Sequence, residues 1–209
     1  MARKPTTPQP VRTVRGDPRA LRVVETLRDG TRATIRAVSA TDRERLVRAF
    51  ANLERETIYR RFFAFKDALS AEELAFIASV DFVRDVILVA TIGENGEETI
   101  IGAGSYSACT ARDGRPVAEV AFVVEEDYQG LGIARRLLAQ LTRIARTNGV
   151  ARLEADVMAG NGAMLRVFEG AGLPMQRQFD HGTIHVSMDL AHPASGDDPP
   201  PMRDPASRA

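Results

Sequence analysis

The sequence has few of the residues that cross-link a chain, bind metals or span membranes. It contains one cysteine, Cys109, and three histidines. A single cysteine excludes a disulfide within the chain and fits a reducing compartment, so we expect a cytoplasmic location. The histidines do not have metal-ligand spacing, and no metal site is expected. No apolar run reaches the roughly 18 residues of a transmembrane helix, and no secretory apolar segment follows Met1.

The chain also has no excess of charge of one sign. Its 28 basic residues balance 28 acidic residues, which gives a formal net charge of zero. No global electrostatic field therefore attracts a polyanion, and neither nucleic acid nor a membrane surface is expected as a partner.

Two segments lack apolar periodicity. Residues 1–19 are rich in Pro, Thr and Arg, and residues 191–209 are rich in Pro and small or charged residues. This composition is typical of disordered tails. Residues 20–190 remain, and their length suits a single domain.

Apolar periodicity and turn residues predict the order ββααβββαβαββ within residues 20–190. Two capping boxes, Thr41 with Glu44 and Ser70 with Glu73, mark the starts of the first two helices. The predicted fold class is α/β, with a mixed, mostly antiparallel central sheet and helices on both faces. The predicted strands are 21–27, 31–38, 85–92, 99–109, 117–124, 153–157, 175–180 and 183–189, and the longer helices are 41–55, 132–146 and 161–171.

Residues 118–136, AEVAFVVEEDYQGLGIARR, are the most informative segment. An apolar strand is followed by an acidic turn and a glycine-spaced loop that leads directly into a helix. Unpaired N–H groups and the positive end of the helix dipole favour a phosphate at such a loop. A dinucleotide fingerprint is excluded because Arg135 occupies its third glycine position, and a P-loop is excluded because no lysine is near.

The loop spells Q-x-x-G-x-G/A from Gln129 to Ala134 and at this point resembles the Gcn5-related N-acetyltransferase (GNAT) superfamily. Residues 161–172 resemble a second motif of that superfamily, N-x-x-A-x-x-x-Y-E-x-x-G, with Met164 in place of Ala and Phe168 in place of Tyr. The resemblance implies the acyl-CoA N-acyltransferase fold, with acetyl-CoA as co-substrate.

The resemblance also implies a set of cofactor-binding residues. The main chain of Phe122 and Val124 is expected to bind pantetheine, and the Asn161 amide is expected to bind pantetheine or its own strand end, although Asn161 alone would indicate a helix N-cap. Phe168 lacks the hydroxyl that protonates the leaving thiolate in other members and is expected to pack against the cofactor. The residues expected at the pyrophosphate are Gln129, Gly130, Leu131, Gly132, Ile133, Ala134 and Arg135.

A general base is needed because an alkyl ammonium has a pKa near 10.4, so free amine at pH 7 costs about 4.6 kcal/mol. Glu119 is the candidate: it interrupts an apolar strand, where Ala, Val and Phe neighbours would raise its pKa. The alternative is an edge-strand glutamate that points to water. Direct transfer is expected, since the one thiol, Cys109, ends an apolar strand and is predicted to be a small buried hydrophobe. The acidic residues 125–127 are expected to shape the turn.

The acceptor is left between three hypotheses. The A-E-x-A strand and residues 53–63, LERETIYRRFF, look like the acetyltransferase domain of bacterial Pat-type protein lysine acetyltransferases. That resemblance implies a protein lysine as acceptor and places residues 59–63 near the acceptor channel, although an aromatic core plug is the other interpretation. A small-molecule amine acetyltransferase would instead show a closed acidic pocket around Glu119. A non-catalytic acyl-CoA sensor is the third hypothesis. The assembly is expected to be a monomer or homodimer.

Overall fold

The computed structural model of the protein describes residues 16–93, 97–111 and 113–190. The predicted C-terminal tail, most of the predicted N-terminal tail and residues 94–96, between the third and fourth predicted strands, lie outside the described residues. Pro18–Ala20, at the end of the predicted N-terminal tail, forms one turn of 3-10 helix. The strands are β1 Arg22–Thr26, β2 Arg32–Ala37, β3 Asp85–Ile92, β4 Thr99–Thr110, β5 Pro116–Val124, β6 Arg152–Met158, β7 Met175–Asp180 and β8 Thr183–Asp189, and the helices are α1 Arg43–Ala51, α2 Arg55–Phe62, α3 Ala71–Ser79, α4 Ile133–Thr147 and α5 Gly162–Glu169.

All eight strands form one sheet in the order β1-β2-β3-β4-β5-β6-β8-β7. Every neighbouring pair is antiparallel except β5 and β6, which are parallel. The predicted fold class is confirmed. β3, in the interior of the sheet, is buried along most of its length, which explains its near-continuous apolar sequence.

Glycine in β4 lets α4 pack closely on one face of the sheet. A Cβ atom at Gly104 would lie 2.9 Å from the Phe122 ring and 3.2 Å from the Leu141 side chain. The α4 face that packs there repeats apolar residues at helical spacing, as predicted, and buries Ile133, Leu137, Leu138, Leu141 and Ile144. Helices α1 to α3 cover the opposite face.

The region before β3 differs from the prediction in two ways. The structure has three helices there, because residues 55–62 form α2, where the sequence indicated only a polar-aromatic stretch. The predicted Thr41–Glu44 capping box is wrong. The observed box uses Ser39 and Asp42 and opens a 3-10 turn that continues into α1. The second predicted box, at Ser70 and Glu73, is confirmed.

A buried ion pair fastens this helical region to β2. Asp42 is 1% exposed and accepts two hydrogen bonds from Arg36, at 2.7 and 2.8 Å. Glu98 accepts two more from the same guanidinium, at 3.0 and 2.7 Å. Burial alone would raise the pKa of Asp42, but the hydrogen bonds from Arg36 and Ser39 outweigh it and hold that pKa below its usual value.

Cys109 is exposed, so its predicted burial is wrong. It lies near the end of β4, where Ser107 and Thr110 are also exposed, so its place in an apolar strand does not imply burial. Among the residues that the structure describes, no helix is long and apolar enough to cross a membrane, and no group of three or more His, Cys, Asp or Glu side chains could hold a metal ion.

Candidate active site

A wedge opens between the two parallel strands. β5 and β6 are paired only where residues 117–119 lie beside residues 152–154. Beyond this point the strands separate, and the main chain of β5 from Val120 onward has no partner strand on that side. Phe122 and Val124, the residues predicted to bind pantetheine, lie in this unpaired stretch. An extended ligand can add to such an edge by main-chain hydrogen bonds.

The wedge leads to the loop between β5 and α4, which we call the phosphate loop (residues 129–132). The N–H groups of residues 130–135 make no hydrogen bond to any described residue. The first amide of α4 with a partner is that of Arg136, which donates to the Gly132 carbonyl at 3.2 Å. A row of free amides at the positive end of a helix is a ready anion site.

The glycines of the phosphate loop are required by its backbone. Gly130 has φ +75° and Gly132 has φ +90°, in the left-handed region that other residues rarely adopt. A Cβ atom at Gly132 would also lie 2.5 Å from a guanidinium nitrogen of Arg136. The glycines at these two positions are therefore favoured by backbone conformation, since a Cβ atom at Gly130 would meet no atom within 4 Å and the Arg136 side chain near Gly132 is flexible.

Gln129 orders the start of the loop. Its side-chain amide donates to the Val124 carbonyl at 3.0 Å and approaches the Thr57 hydroxyl of α2 at 3.4 Å. Nearby, the Glu126 carboxylate accepts a hydrogen bond from the Glu54 backbone at 3.1 Å. The loop is thus tied both to the end of β5 and to the start of α2.

The second motif supports the wedge from behind. Asn161 is the N-cap of α5, and its side-chain oxygen accepts from the Met164 N–H at 3.1 Å, which is the alternative that its residue type indicated. Phe168 is 1% exposed and packs edge-on against Phe122, with ring centroids 6.1 Å apart. The ring therefore lies in the core, and direct contact of Phe168 or Asn161 with the cofactor stays a prediction.

Glu119 lies where the wedge begins and is the last β5 residue that pairs with β6. Its side chain is exposed, so the predicted apolar surroundings are wrong. The reason is the sheet register: the cross-strand neighbours of Glu119 on the same face are Ser107 and Glu154. Sequence alternation could place Glu119 with Ala121 on one face, but it could not identify these partners.

A cavity of about 400 Å³ lies between helices α1 to α3 and the same face of the sheet; we call it the α1–α3 cavity. Its floor includes Ala121 and Val123 of β5, the strand that borders the wedge. Arg61 and Phe62 of α2 line it, so part of the segment 59–63 faces this cavity, and the place of that segment near an acceptor channel stays a prediction. Most of the remaining lining is apolar.

Arg61 is the residue of this site that sequence reasoning did not single out. Burial lowers the pKa of Arg61, and the negative charges of Glu119 and Glu73 offset part of that effect. Its guanidinium lies 4.8 Å from the centroid of the Phe62 ring and makes no hydrogen bond or close ion pair with any described residue. An arginine side chain rarely leaves its donors unused in a partly buried position, so it is a candidate substrate contact.

The carboxylate of Glu125 lines the α1–α3 cavity together with those of Glu73 and Asp85. Burial, followed by the charges of Asp127 and Glu126, raises the pKa of Glu125. The turn-shaping role predicted for residues 125–127 fits Glu126, which bonds to Glu54, but Glu125 faces the cavity. Besides Glu119, it is one of three carboxylates in this region, with Glu73 and Asp85, that could accept a proton.

The fold and the site together define a class of protein. An acyl-CoA N-acyltransferase needs three elements that are present here. They are a parallel pair of strands that separates, a row of free amides at the start of a helix, and a cavity against β5 on the face opposite α4. The amides fit a diphosphate and the open strand edge fits the amide-containing pantetheine arm.

Comparison with known proteins agrees with this class. Residues 49–173 match the acetyltransferase (GNAT) family. Acetyltransferase PA5475 of Pseudomonas aeruginosa is 32% identical over 160 residues, which cover 77% of this chain and 84% of that protein. The crystal structure of the GNAT domain of S. lividans PAT superimposes with a TM-score of 0.72 at 35% identity, covering 80% of this chain and 96% of that domain. The chain belongs to the GNAT family and is an acetyl-CoA-dependent N-acetyltransferase.

A further relative is longer than this chain. Acetyltransferase Pat of Mycolicibacterium smegmatis is 31% identical over 166 residues, which cover 78% of this chain but only 47% of that protein. The chain thus spans about half the length of this relative.

Proposed function

We propose that this acetyltransferase modifies a lysine side chain of a protein, with Glu119 as the general base. The single observation that carries the proposal is the position of Glu119: it is exposed at the point where β5 and β6 separate, on the face that also forms the floor of the α1–α3 cavity. An amine that enters from this cavity reaches the wedge beside a carboxylate. The resemblance to Pat-type enzymes supports a protein as the acceptor.

The residues around the wedge have distinct tasks in this reaction. When bound, acetyl-CoA supplies the electrophilic thioester carbonyl. Glu119 accepts a proton from the incoming ammonium, either directly or through water, and thereby lowers the cost of about 4.6 kcal/mol for free amine at pH 7. Phe168 has no hydroxyl group, so the side chain at that position cannot protonate the leaving group.

The lining of the α1–α3 cavity suits a lysine side chain. Apolar side chains of α1, α3 and the sheet, such as Leu46, Ile77 and Ile87, can bury the methylene groups. The ammonium would then lie toward the polar end, where the cross-strand neighbours Asp85, Ser107 and Glu119 share one face of the sheet. Ser107 donates to Asp85 there at 2.7 Å.

Exposed aromatic side chains near the cavity favour a macromolecular acceptor. Phe76 lines the cavity and is 48% exposed, while Phe63 and Phe65, which follow α2, are 44% and 65% exposed. A group of exposed apolar side chains on one surface is typical of an interaction site, and aromatic residues are enriched at protein interfaces. A small amine would have no use for this surface.

A small-molecule amine is the second candidate acceptor. The α1–α3 cavity is large enough to enclose one, and this observation is what favours it. The lining is not the closed acidic pocket around Glu119 expected for such an enzyme, however. It is mostly apolar, Glu119 is not part of it, and it includes Arg61 beside three carboxylates.

Release of free coenzyme A from acetyl-CoA across an acceptor panel will test the proposal. The panel should contain small amines, lysine peptides and folded proteins, acyl-CoA synthetases among them, with acetylated sites located by mass spectrometry. We expect a folded protein to react with the highest kcat/KM, because it contacts both the cavity and the exposed side chains of Phe63, Phe65 and Phe76, which we call the aromatic rim. A higher kcat/KM for a small amine than for every protein and peptide would contradict the proposal.

Phe76→Ser tests the aromatic rim separately. Loss of one exposed aromatic contact of about 1 kcal/mol should raise KM for a protein acceptor about fivefold. It should leave KM for acetyl-CoA and for a small amine unchanged. Phe179→Ser is the matched control, because this side chain is 68% exposed on β7, away from the cavity. An equal loss in both variants would mean that the rim has no special role.

A further inference from the structure

The N–H groups and the carbonyl groups of the phosphate loop differ in their hydrogen bonding. The N–H groups of residues 130–135 have no partner in the described part of the chain, whereas the carbonyls of Gly130, Leu131 and Gly132 all accept hydrogen bonds. In a short exposed loop, water could hydrogen-bond to the amides and to the carbonyls alike. Particular residues must therefore cause the carbonyls, and not the amides, to be bonded by the protein.

Arg28, in the β1–β2 turn, donates two of the hydrogen bonds to the loop carbonyls. Its guanidinium Nη1 donates to the Gly130 carbonyl at 3.0 Å. Its backbone N–H donates to the Leu131 carbonyl at 3.3 Å. Arg28 is exposed and lies more than a hundred positions before the loop in sequence, so no local constraint of the chain brings these groups together.

Arg136, in the first turn of α4, supplies the rest. Its Nη1 donates to the Gly132 carbonyl at 3.3 Å and approaches the Leu131 carbonyl at 3.5 Å. The same guanidinium is anchored to β1, because its Nε donates to Glu25 at 3.2 Å and its Nη2 donates to the Thr26 carbonyl. Both arginines thus connect the phosphate loop to the β1–β2 hairpin.

The physical consequence follows from the geometry of a peptide unit, whose N–H and C=O point in opposite directions. Holding the carbonyls from outside turns the amides toward the ligand side. It also neutralises partial negative charge that would repel a phosphate, because each carbonyl faces a guanidinium or an N–H. The two cations behind the loop add a favourable field for an anion in front of it.

We propose that Arg28 and Arg136 are positioning residues for the diphosphate of acyl-CoA, and that the β1–β2 hairpin is therefore part of the cofactor site. They act through the phosphate loop, by fixing the direction of its amides, and not by contact with the phosphates. The proposal goes beyond the proposed function, since it holds whichever amine is the acceptor.

Arg28→Gln is the direct test, because Arg28 is exposed and its replacement removes no core contact. We expect the Kd for coenzyme A, measured by titration calorimetry without acceptor, to rise about tenfold, the loss typical of a charge-assisted hydrogen bond. KM for acetyl-CoA should rise with it, and kcat at saturating acetyl-CoA should stay unchanged. Arg32→Gln is the control, since the Arg32 side chain is exposed on the same hairpin and makes no hydrogen bond or ion pair with a described residue. An unchanged Kd in Arg28→Gln would overturn the proposal.

Two truncated ligands separate positioning from other roles. S-acetyl pantetheine lacks the diphosphate, so wild type and Arg28→Gln should use it equally. An equal loss on this substrate would indicate general damage and overturn the proposal. 3′-Dephospho-coenzyme A retains the diphosphate, so the tenfold difference in Kd should persist. Its disappearance would mean that Arg28 contacts the 3′-phosphate directly, which also overturns the proposal.

Arg28→Lys gives an independent check of the same geometry. A lysine keeps the charge and the backbone N–H but lacks the planar fork of the guanidinium. We expect its Kd for coenzyme A to lie between those of wild type and Arg28→Gln. A Kd as weak as that of Arg28→Gln would show that the geometry of the donor, and not the charge, positions the loop. A Kd equal to that of wild type would show that charge alone suffices. That second result would overturn the role of the directed hydrogen bond.

Discussion

Glu119→Gln is expected to lower kcat at pH 7 by roughly 10²- to 10³-fold, the usual contribution of a positioned general base. The amide has the same shape as the carboxylate but cannot take the proton of the acceptor. KM for acetyl-CoA should not change, because no predicted cofactor contact involves this side chain. Steady-state release of coenzyme A over pH 6 to 10 will measure the effect.

The pH dependence adds a second readout. In the variant the amine must lose its proton to solvent, so the rate should rise about tenfold per pH unit until the amine pKa near 10.4 is approached. The wild-type rate should rise less steeply, and the two should converge at high pH. Asp113→Asn is the charge-matched control, since Asp113 lies in the exposed β4–β5 turn.

Glu125→Gln distinguishes the two candidate bases. Glu125 lines the α1–α3 cavity, and its pKa is raised by burial and by the neighbouring carboxylates. If Glu125→Gln lost activity by two orders of magnitude while Glu119→Gln kept it, the base would be Glu125. A wild-type rate in both variants would exclude Glu119 and Glu125 as the base and would leave Asp85 and Glu73 as the carboxylates that line the cavity.

Asp42→Asn is expected to reduce the free energy of unfolding by about 3 kcal/mol, the cost of removing one partner of a buried ion pair. The side chain is 1% exposed and accepts hydrogen bonds from Arg36, Ser39 and Arg45. An asparagine cannot accept the bidentate pair, although Glu98 still neutralises Arg36 in part. Urea denaturation at pH 7 will measure the change. Asp67→Asn, at an exposed position, should change the free energy of unfolding by less than about 0.5 kcal/mol.

The sign of the pH effect follows from the direction of the pKa shift. The folded-state pKa of Asp42 lies below its usual value, so its stabilising contribution is present above about pH 4 and is lost as pH falls through the folded-state pKa. The difference between wild type and Asp42→Asn should therefore be constant from pH 7 to about pH 5 and should narrow below about pH 4. A difference that did not change down to pH 2 would mean that packing, and not charge, explains the loss.

Local patterns in the sequence determined most of the fold. The strands β3, β7 and β8 have the predicted bounds, and α4 buries the predicted residues. β3 is a near-continuous apolar run, β7 and β8 flank the turn at residues 181–182, and α4 repeats apolar residues at helical spacing, so each is indicated by a local pattern. The helix α2 was missed because its sequence, RETIYRRF, buries only Ile58 and has no side-chain cap. Short polar helices of this kind are held by their neighbours and not by their own pattern.

The phosphate loop is the part of the site that the sequence by itself determined. Its glycine spacing, the strand before it and the helix after it are all local, and the free amides follow directly from the start of a helix. Only the tertiary structure decided three other features of the site. These are the exposure of Glu119, the position of Arg61 and the contact of Arg28 with the Gly130 carbonyl. Each depends on groups far apart in the chain, whose distance is set by sheet register and helix packing, and a linear pattern carries no information about either.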